Sequence, residues 1–150
     1  MNNQALANSA AIGVAPRQWT KQQLKSANGE YPTPYIDHWI LQLHGIAPER
    51  INDPDVLMQE LTRLVERLKL TRVSEHTHYF HPGVSAVIIL SESHLSVHTW
   101  PELGYLHADI VTCVEKLTNK GLHAAFTDAF APGHLQIDQL DYCNAVAGKA

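Results

Sequence analysis

Three runs of strand-forming residues follow one another closely in the second half of the chain, at residues 84–91, 95–100 and 106–114. The first run, VSAVIIL and a serine, has the apolar character of a buried strand. The breaks between the runs are short and contain turn-forming residues, so they predict hairpins, in which neighbouring strands run antiparallel. This part of the chain is therefore expected to form consecutive strands of one antiparallel sheet.

The remaining sequence adds helices and further strands around these hairpins. Asn52 or Asp53 followed by Pro54 is typical of a helix start, and Pro132-Gly133 is typical of a helix end. Helical or alternating spacing of apolar residues predicts helices at 53–69 and 118–130 and strands at 38–46, 71–80 and 134–140. The order β-α-β-β-β-β-α-β predicts an α+β fold. We expect a two-layer sandwich, a mainly antiparallel sheet with two helices packed on one face.

Composition indicates a globular protein of one main domain. The chain has 150 residues, of which 45% are hydrophobic and 17% are charged, with a formal net charge of −4. This charge argues against nucleic acid or an anionic membrane as a partner, and no apolar run approaches the roughly 18 residues that span a bilayer. The N-terminus does not resemble a secretory signal, and Cys113 and Cys143 form no disulfide framework. A cytoplasmic protein is expected.

The two ends of the sequence differ from its middle. Residues 1–34 are rich in Asn, Ala, Gln, Ser and Lys and close with the turn-like segment GEYPTP, which predicts a flexible N-terminal tail. Residues 35–142 are expected to form the folded domain. Residues 143–150 are expected to form a short C-terminal tail.

The polar segment SESHLSVHTWPE at residues 91–102 directly follows the most apolar strand. Hydroxyl, carboxylate and imidazole groups beside a core strand are costly to bury unless they serve a purpose. A tight turn at Glu92-Ser93 would place Ser85 opposite Trp100 and diagonal to His98. This register predicts that part of the polar segment forms a site on one face of the sheet.

A second turn is predicted at residues 102–105, where Gly104 can supply the required backbone conformation. This turn would place Cys113 opposite His94 and one residue from Ser93. Leu95, Val97, Leu106, Ala108 and Ile110 would then lie on the other face, against the helices. The two turns together predict that Ser85, Ser93, His98 and Cys113 converge on one surface.

Two kinds of chemistry could use such a cluster. A metal site would need closely spaced ligands, and His94 and His98 are roughly 13 Å apart along a strand, which is too far for one ion. His76 and His78, with His81 nearby, are better spaced, but hydrogen-bonded or solvated side chains explain them more simply, so no metal is expected. A Cys113–His98 nucleophilic pair is the second possibility, although no oxyanion-binding signature accompanies it.

Residues 83–105, GVSAVIILSESHLSVHTWPELGY, followed by DIVTC at 109–113, closely resemble the prokaryotic-type S-adenosylmethionine decarboxylases. The ESH…HTWPE…TC combination is much more specific than a single short motif. Members of this family process themselves and depend on a pyruvoyl group. The resemblance implies an enzyme that decarboxylates S-adenosylmethionine for polyamine (spermidine) synthesis, and a homodimer with active-site groups shared across subunits.

The resemblance also implies roles for individual residues. The chain would cut itself between Glu92 and Ser93, giving an α and a β chain that stay associated, and Ser93 would become the pyruvoyl group that forms a Schiff base with the substrate. His98 would accept a proton during processing, and Ser85 would support that step. Cys113 would donate a proton during catalysis.

The substrate-binding residues implied by the resemblance are Glu102, for the ribose hydroxyls, and Tyr79 or Phe80, for stacking on adenine. The sequence departs from the family pattern at His81-Pro82, just before Gly83, and at Val114, where a glycine is usual. A changed loop before Gly83 leaves open a pyruvoyl-dependent arginine or ornithine decarboxylase. A homologue that keeps the fold without enzymatic activity is the third possibility.

Overall fold

The computed structural model describes residues 34–115 and 117–140. The predicted tails lie outside these residues, apart from Pro34, so the proposed domain limits at 35 and 142 stay predictions. Within the described residues the chain forms six strands and two α-helices, with short 3-10 turns at Pro48–Arg50 and Pro101–Leu103. In chain order the elements are β1 Asp37–His44, α1 Pro54–Arg67, β2 Arg72–Phe80, β3 Gly83–Leu90, β4 Ser93–Trp100, β5 Tyr105–Thr112, α2 Asn119–Phe130 and β6 His134–Leu140.

The six strands form one sheet in the order β2-β3-β4-β5-β1-β6. Each neighbouring pair is antiparallel. Strands β2 to β5 follow one another as hairpins, and β1 lies between β5 and β6. Both helices contribute buried apolar side chains to the core that the sheet forms on one of its faces. The predicted α+β two-layer sandwich is confirmed.

Both helices begin where the sequence indicates. The carboxylate of Asp53 accepts hydrogen bonds from the backbone N–H groups of Asp55 and Val56, at 2.9 and 3.0 Å, and Pro54 occupies the first helical position. The Thr118 hydroxyl accepts from the N–H of Gly121 at 3.1 Å. These caps satisfy N–H groups that have no partner within their own helix.

Alternate strand residues fill the core between sheet and helices. The five residues predicted to face the helices are all buried, and none is more than 1% exposed: Leu95, Val97, Leu106, Ala108 and Ile110. Burial of each large apolar side chain contributes about 1.5–3 kcal/mol. The helices add a matching row of buried residues: Leu57, Leu61, Leu64 and Val65 from α1, and Leu122, Ala125, Phe126, Ala129 and Phe130 from α2.

The strand residues between these core positions point away from the helices, and we call the surface they form the open face. Eight of the chain's ten histidines occupy open-face positions: His38, His44, His76, His78, His94, His98, His107 and His134. The open face also carries apolar side chains, among them Phe80 and Ile89, which are 40% and 44% exposed. Functional groups on the sheet are therefore concentrated on the side that the helices do not cover.

The hairpin between β3 and β4 turns one residue earlier than predicted. Leu90 pairs with Ser93, so the turn residues are Ser91 and Glu92, and Ser85 lies directly opposite His98 instead of Trp100. A contact with the segment before β2 fixes this turn, because the N–H of Ser91 donates to the carbonyl of Thr71 at 2.8 Å. Hairpin sequence alone contains no information about that contact.

The connection between β4 and β5 also differs from the prediction. Pro101–Leu103 forms a 3-10 turn, and Gly104 follows in the left-handed region with φ of 57°, so Tyr105 already belongs to β5. A Cβ atom at Gly104 would lie 2.9 Å from the Ile46 carbonyl oxygen, which favours glycine there. Ser93 consequently pairs with Thr112, and Cys113 follows it opposite Glu92, not opposite His94.

Candidate active site

Glu92 lies in the turn between β3 and β4 and is only 6% exposed. Its carboxylate accepts hydrogen bonds from the backbone N–H of Thr71 at 3.0 Å and from the Thr71 hydroxyl at 3.3 Å. A buried carboxylate requires such partners, because an ionised group without them pays a large desolvation cost. The two hydrogen bonds from Thr71 therefore fix the position of Glu92, the residue immediately before Ser93.

A contact with Cys113, which follows β5, also fixes the peptide bond that joins Glu92 to Ser93. The backbone N–H of Cys113 donates to the Glu92 carbonyl oxygen at 2.9 Å. Ser93 has a φ of 152°, a conformation that residues other than glycine seldom adopt and that costs on the order of 1–3 kcal/mol. The carbonyl of this peptide bond is thus polarised, and the backbone at Ser93 is strained.

The Ser93 hydroxyl lies 3.1 Å from Nδ1 of His94. Both residues are half-buried at the start of β4. We call Glu92, Ser93, His94 and Cys113 the cleavage cluster. Cys113 is exposed and is not in a disulfide, so its thiol is accessible, and its backbone lies beside the Glu92–Ser93 bond.

Ser85 and His98 form a second group near the opposite end of the β3–β4 hairpin. The two residues face each other across the strands, and the Ser85 hydroxyl lies 2.8 Å from His98 Nδ1. This hydrogen bond fixes the orientation of the imidazole ring, whose other nitrogen, Nε2, is not used in the contact with Ser85. We call these two residues the Ser85–His98 pair.

The cleavage cluster and the Ser85–His98 pair do not meet within one chain. Ser93 and His98 are five residues apart on β4, which corresponds to about 16 Å. The predicted convergence of Ser85, Ser93, His98 and Cys113 was therefore wrong within a single chain. Ser93 and His98 lie at opposite ends of β4 and, being an odd number of residues apart, at strand positions of opposite faces. The same separation excludes a nucleophilic pair of Cys113 and His98 within one chain.

The three residues predicted to bind substrate lie toward the Ser85–His98 end of the sheet. Glu102 is exposed in the 3-10 turn after β4. Phe80 is on the open face, with its ring centroid 6.5 Å from that of His78, which pairs with Ser85. Tyr79 points to the other side of β2, and its hydroxyl lies 2.9 Å from His81 Nδ1. Of the two aromatic residues, Phe80 is therefore the one that lies on the open face.

The sequence profile of the S-adenosylmethionine decarboxylase family matches residues 37–141. The chain belongs to this family. The matched range includes both the cleavage cluster and the Ser85–His98 pair.

Individual members of the S-adenosylmethionine decarboxylase family show the same relationship. The S-adenosylmethionine decarboxylase proenzyme of Archaeoglobus fulgidus is 33% identical over 96 residues, which cover 63% of this chain and 86% of the relative. The proenzyme of Methanococcus maripaludis is 43% identical over 79 residues, 52% of this chain and 65% of the relative. The crystal structure of the adenosylmethionine decarboxylase from Aquifex aeolicus superimposes with a TM-score of 0.65 at 25% identity, covering 73% of this chain and 91% of that one.

Two properties of this family bear on the site. S-adenosylmethionine decarboxylases are pyruvoyl-dependent, and their proenzymes process themselves. Arginine and ornithine decarboxylation, and an inactive homologue, are not favoured by this membership.

The structure adds a residue that sequence reasoning missed. Thr99 is fully buried and follows His98 on β4, on the side away from the cleavage cluster. Its hydroxyl donates to the Ile51 carbonyl at 2.9 Å and accepts from the N–H of Val84, the residue before Ser85, also at 2.9 Å. A polar residue at a core position of an alternating strand was the available signal. Thr71, which bonds to Glu92, was also missed, and its position just before β2 carries no comparable sequence signal.

A second polar network on the open face involves Asp109. Its carboxylate oxygens lie 3.1 Å from His38 Nε2 and 3.1 Å from His107 Nε2. Nearby, the Tyr105 hydroxyl donates to the Gln42 side-chain oxygen at 3.1 Å, and burial raises the pKa of Tyr105 above its ordinary value.

The described part of the chain holds no group of three or more His, Cys, Asp or Glu side chains that could bind a metal ion. His76 and His78 are exposed on β2, and His81 is exposed in the following turn. Among the described residues, no helix is long and apolar enough to cross a membrane.

Proposed function

We propose that this chain is a proenzyme that cuts itself between Glu92 and Ser93 and matures into a pyruvoyl-dependent S-adenosylmethionine decarboxylase of polyamine synthesis. The observation that carries the proposal is the fixed Glu92–Ser93 peptide bond. Its carbonyl accepts the Cys113 N–H, and its serine is held in a strained conformation. The family relationship supports the same reaction.

The first step is an N-to-O acyl shift. The Ser93 Oγ attacks the Glu92 carbonyl carbon, the C–N bond breaks, and the hydroxyl proton ends on the new amine, so an ester replaces the peptide bond. Negative charge develops on the Glu92 carbonyl oxygen during this attack. The N–H of Cys113, 2.9 Å away, is placed to stabilise that charge.

The second step is β-elimination. A base removes the α-proton of Ser93, the Cβ–O bond breaks, and Glu92 leaves as a carboxylate. The dehydroalanine that remains tautomerises, and water replaces its nitrogen as ammonia to give the pyruvoyl group. His98, oriented by Ser85, is the proposed base, since an imidazole can accept a proton near neutral pH.

The residues around Ser93 fit the group that this reaction would make. Ser93 is half-buried at the start of β4, and Cys113, whose N–H bonds to the preceding carbonyl, is exposed. The pyruvoyl group supplies a carbonyl that withdraws the electrons released when carbon dioxide leaves the substrate. The Cys113 thiol is the proposed donor of the proton that returns to the substrate.

A homodimer would bring the two separated parts of the site together. The open face carries exposed apolar side chains, and a second copy packed on it would cover them. Such a dimer would have its two-fold axis in the interface, parallel to the open face, perpendicular to β4 and close to Ser96. The axis would place the cleavage cluster of one subunit against the partner's Ser85–His98 pair. A two-fold interface makes each such contact twice, so the dimer would have two complete sites.

Substrate recognition is proposed to use groups at the Ser85–His98 end of each subunit. The Glu102 carboxylate can accept hydrogen bonds from ribose hydroxyls. The Phe80 ring lies over Gly83, where a Cβ atom would come within 2.6 Å of it, and it presents an aromatic surface for adenine. Glycine at this position allows the ring to lie close to the backbone. A cytoplasmic location is proposed, because an exposed unpaired thiol suits a reducing compartment.

Mass spectrometry of the purified protein tests self-cleavage. We expect two fragments, residues 1–92 and a pyruvoyl-blocked chain that starts at position 93. The Ser93→Ala variant should stay intact because it lacks the attacking hydroxyl, whereas the control Ser96→Ala, three residues along β4, should still be cut. An intact wild-type chain after long incubation would refute the proposal.

Release of carbon dioxide tests the substrate. The cleaved protein is incubated separately with S-adenosylmethionine, arginine and ornithine, and we expect release from S-adenosylmethionine alone. The Glu102→Gln variant should lose far more of this activity than of self-cleavage. Release from arginine or ornithine but not from S-adenosylmethionine would contradict the proposed substrate.

A further inference from the structure

The acyl shift and the β-elimination each remove a different proton. The first removes the hydroxyl proton of Ser93, and the second removes its α-proton. Because these protons leave at different stages and from different atoms, one base need not serve both steps. The described structure offers two imidazoles near the proposed chemistry, His94 in the cleavage cluster and His98 in the Ser85–His98 pair.

His94 is the imidazole in contact with the attacking hydroxyl. Its Nδ1 lies 3.1 Å from the Ser93 Oγ within the same chain. His98 is about 16 Å along the strand from Ser93 and reaches the serine only if the partner subunit supplies it. When His94 carries its proton on Nε2, Nδ1 accepts a hydrogen bond from the Ser93 hydroxyl.

The surroundings of His94 contain few alternative proton acceptors. Its direct cross-strand neighbours, Ile89 on β3 and Val111 on β5, are apolar. The Glu92 carboxylate is engaged by Thr71. The Cys113 N–H is at the Glu92 carbonyl oxygen, where it can stabilise charge but cannot accept a proton.

We propose that His94 is the catalytic base of the acyl shift, an inference that rests on the proposed self-cleavage. As the Ser93 Oγ bonds to the Glu92 carbonyl carbon, its proton passes to His94 Nδ1. When the C–N bond breaks, His94 returns the proton to the Ser93 nitrogen. The step consumes no other reactant, and His94 ends it with the same number of protons with which it began.

Hydroxylamine separates the two steps, because it cleaves an ester under mild conditions and leaves a peptide bond intact. Chains are made by cell-free synthesis, and the fragments 1–92 and 93–150 are followed over time with and without hydroxylamine. Wild type, His94→Ala, His94→Asn and His98→Ala are compared. His123→Asn is the control, since His123 is exposed on α2 beside Thr127.

We expect both His94 variants to process about 10²–10⁴-fold more slowly than wild type, the usual contribution of a general base. Their uncut chains should resist hydroxylamine, because no ester has formed. The His98→Ala chain should instead be cut by hydroxylamine at position 92, and the His94→Ala/His98→Ala double variant should resist it. His123→Asn should process like wild type.

Three results would overturn the role of His94. One is wild-type processing in His94→Asn, which keeps a polar group but cannot take up the proton. Another is an uncut His94→Ala chain that hydroxylamine cleaves, since the ester would then form without His94. The third is a folded His98→Ala chain that stays uncut and resists hydroxylamine, because the acyl shift would then depend on His98. A wild-type chain that is never cut would instead refute the underlying self-cleavage.

Discussion

Cys113 contributes to the site through two different groups. Its backbone N–H donates a hydrogen bond to the carbonyl of Glu92, where the chain would be cut, and its thiol belongs to an exposed side chain. A side-chain substitution removes the thiol and leaves the N–H in place. Self-cleavage and substrate turnover should therefore respond differently to the same change.

Cys113→Ala should retain substantial self-cleavage but lose about 10²–10⁴-fold in turnover of S-adenosylmethionine, the usual range for a general acid. The measurement is carbon dioxide release per cleaved chain, with the cleaved fraction determined by mass spectrometry. Cys113→Ser tests whether a weaker acid of similar size suffices. Turnover unchanged in Cys113→Ala would remove the thiol from the mechanism.

At the scale of elements, Thr99 connects β3, β4 and the segment before α1. The buried hydroxyl bonds to the backbone of Val84 and Ile51, so it holds the strand segments that carry Ser85 and His98. Removing it leaves two buried backbone groups without this partner. Such a loss costs on the order of 1–3 kcal/mol for each unsatisfied group.

Thr99→Val should lower the free energy of unfolding by about 2–6 kcal/mol, the cost of two unsatisfied backbone groups, because it keeps the shape of threonine but not its hydroxyl. Urea unfolding is measured in a Ser93→Ala background, so that cleavage does not change the molecule under study. Thr99→Ser is the matched control and should recover most of the loss. Equal stability of Thr99→Val and its parent would contradict the assigned role of the hydroxyl.

The elements themselves could be predicted from local sequence, but the strand pairing could not. Asp53 and Thr118 cap the helices through contacts within a few residues, and alternation alone identified the buried side of β4 and β5. In both hairpins, each residue pairs with a partner two positions away from the predicted one. The contact of Thr71 with Ser91 and the 3-10 turn at Pro101–Leu103 determine these pairings, and the first of the two is tertiary.

The candidate site was predicted as a set of residues but not as an arrangement. Even with the wrong register, Cys113 was expected close to Ser93, and the structure does place its N–H on Glu92. Ser85 and His98 were likewise expected near each other, and they form a hydrogen bond. The distance between these two groups follows from the rise per residue of β4. The same rise separates His94 from His98 in the sequence, so the separation of Ser93 from His98 could have been predicted as well.

At the scale of the whole molecule, the separation of the two groups is the strongest reason to expect an obligatory dimer. If each site combines the cleavage cluster of one subunit with the partner's Ser85–His98 pair, two defective chains can restore one complete site. Ser93→Ala and His98→Ala would each be defective as homodimers. In their mixed dimer, one site would carry both defects and the other would carry none.

Complementation between these two variants is the most direct test of a self-cleaving site shared across subunits. Ser93→Ala and His98→Ala chains, carrying different affinity tags, are co-expressed, and mixed dimers are purified through both tags and analysed by mass spectrometry. We predict that the His98→Ala chain is cut between Glu92 and Ser93 while the Ser93→Ala chain stays intact. Mixed dimers in which neither chain is cut, although the wild type is, would contradict a site shared across subunits.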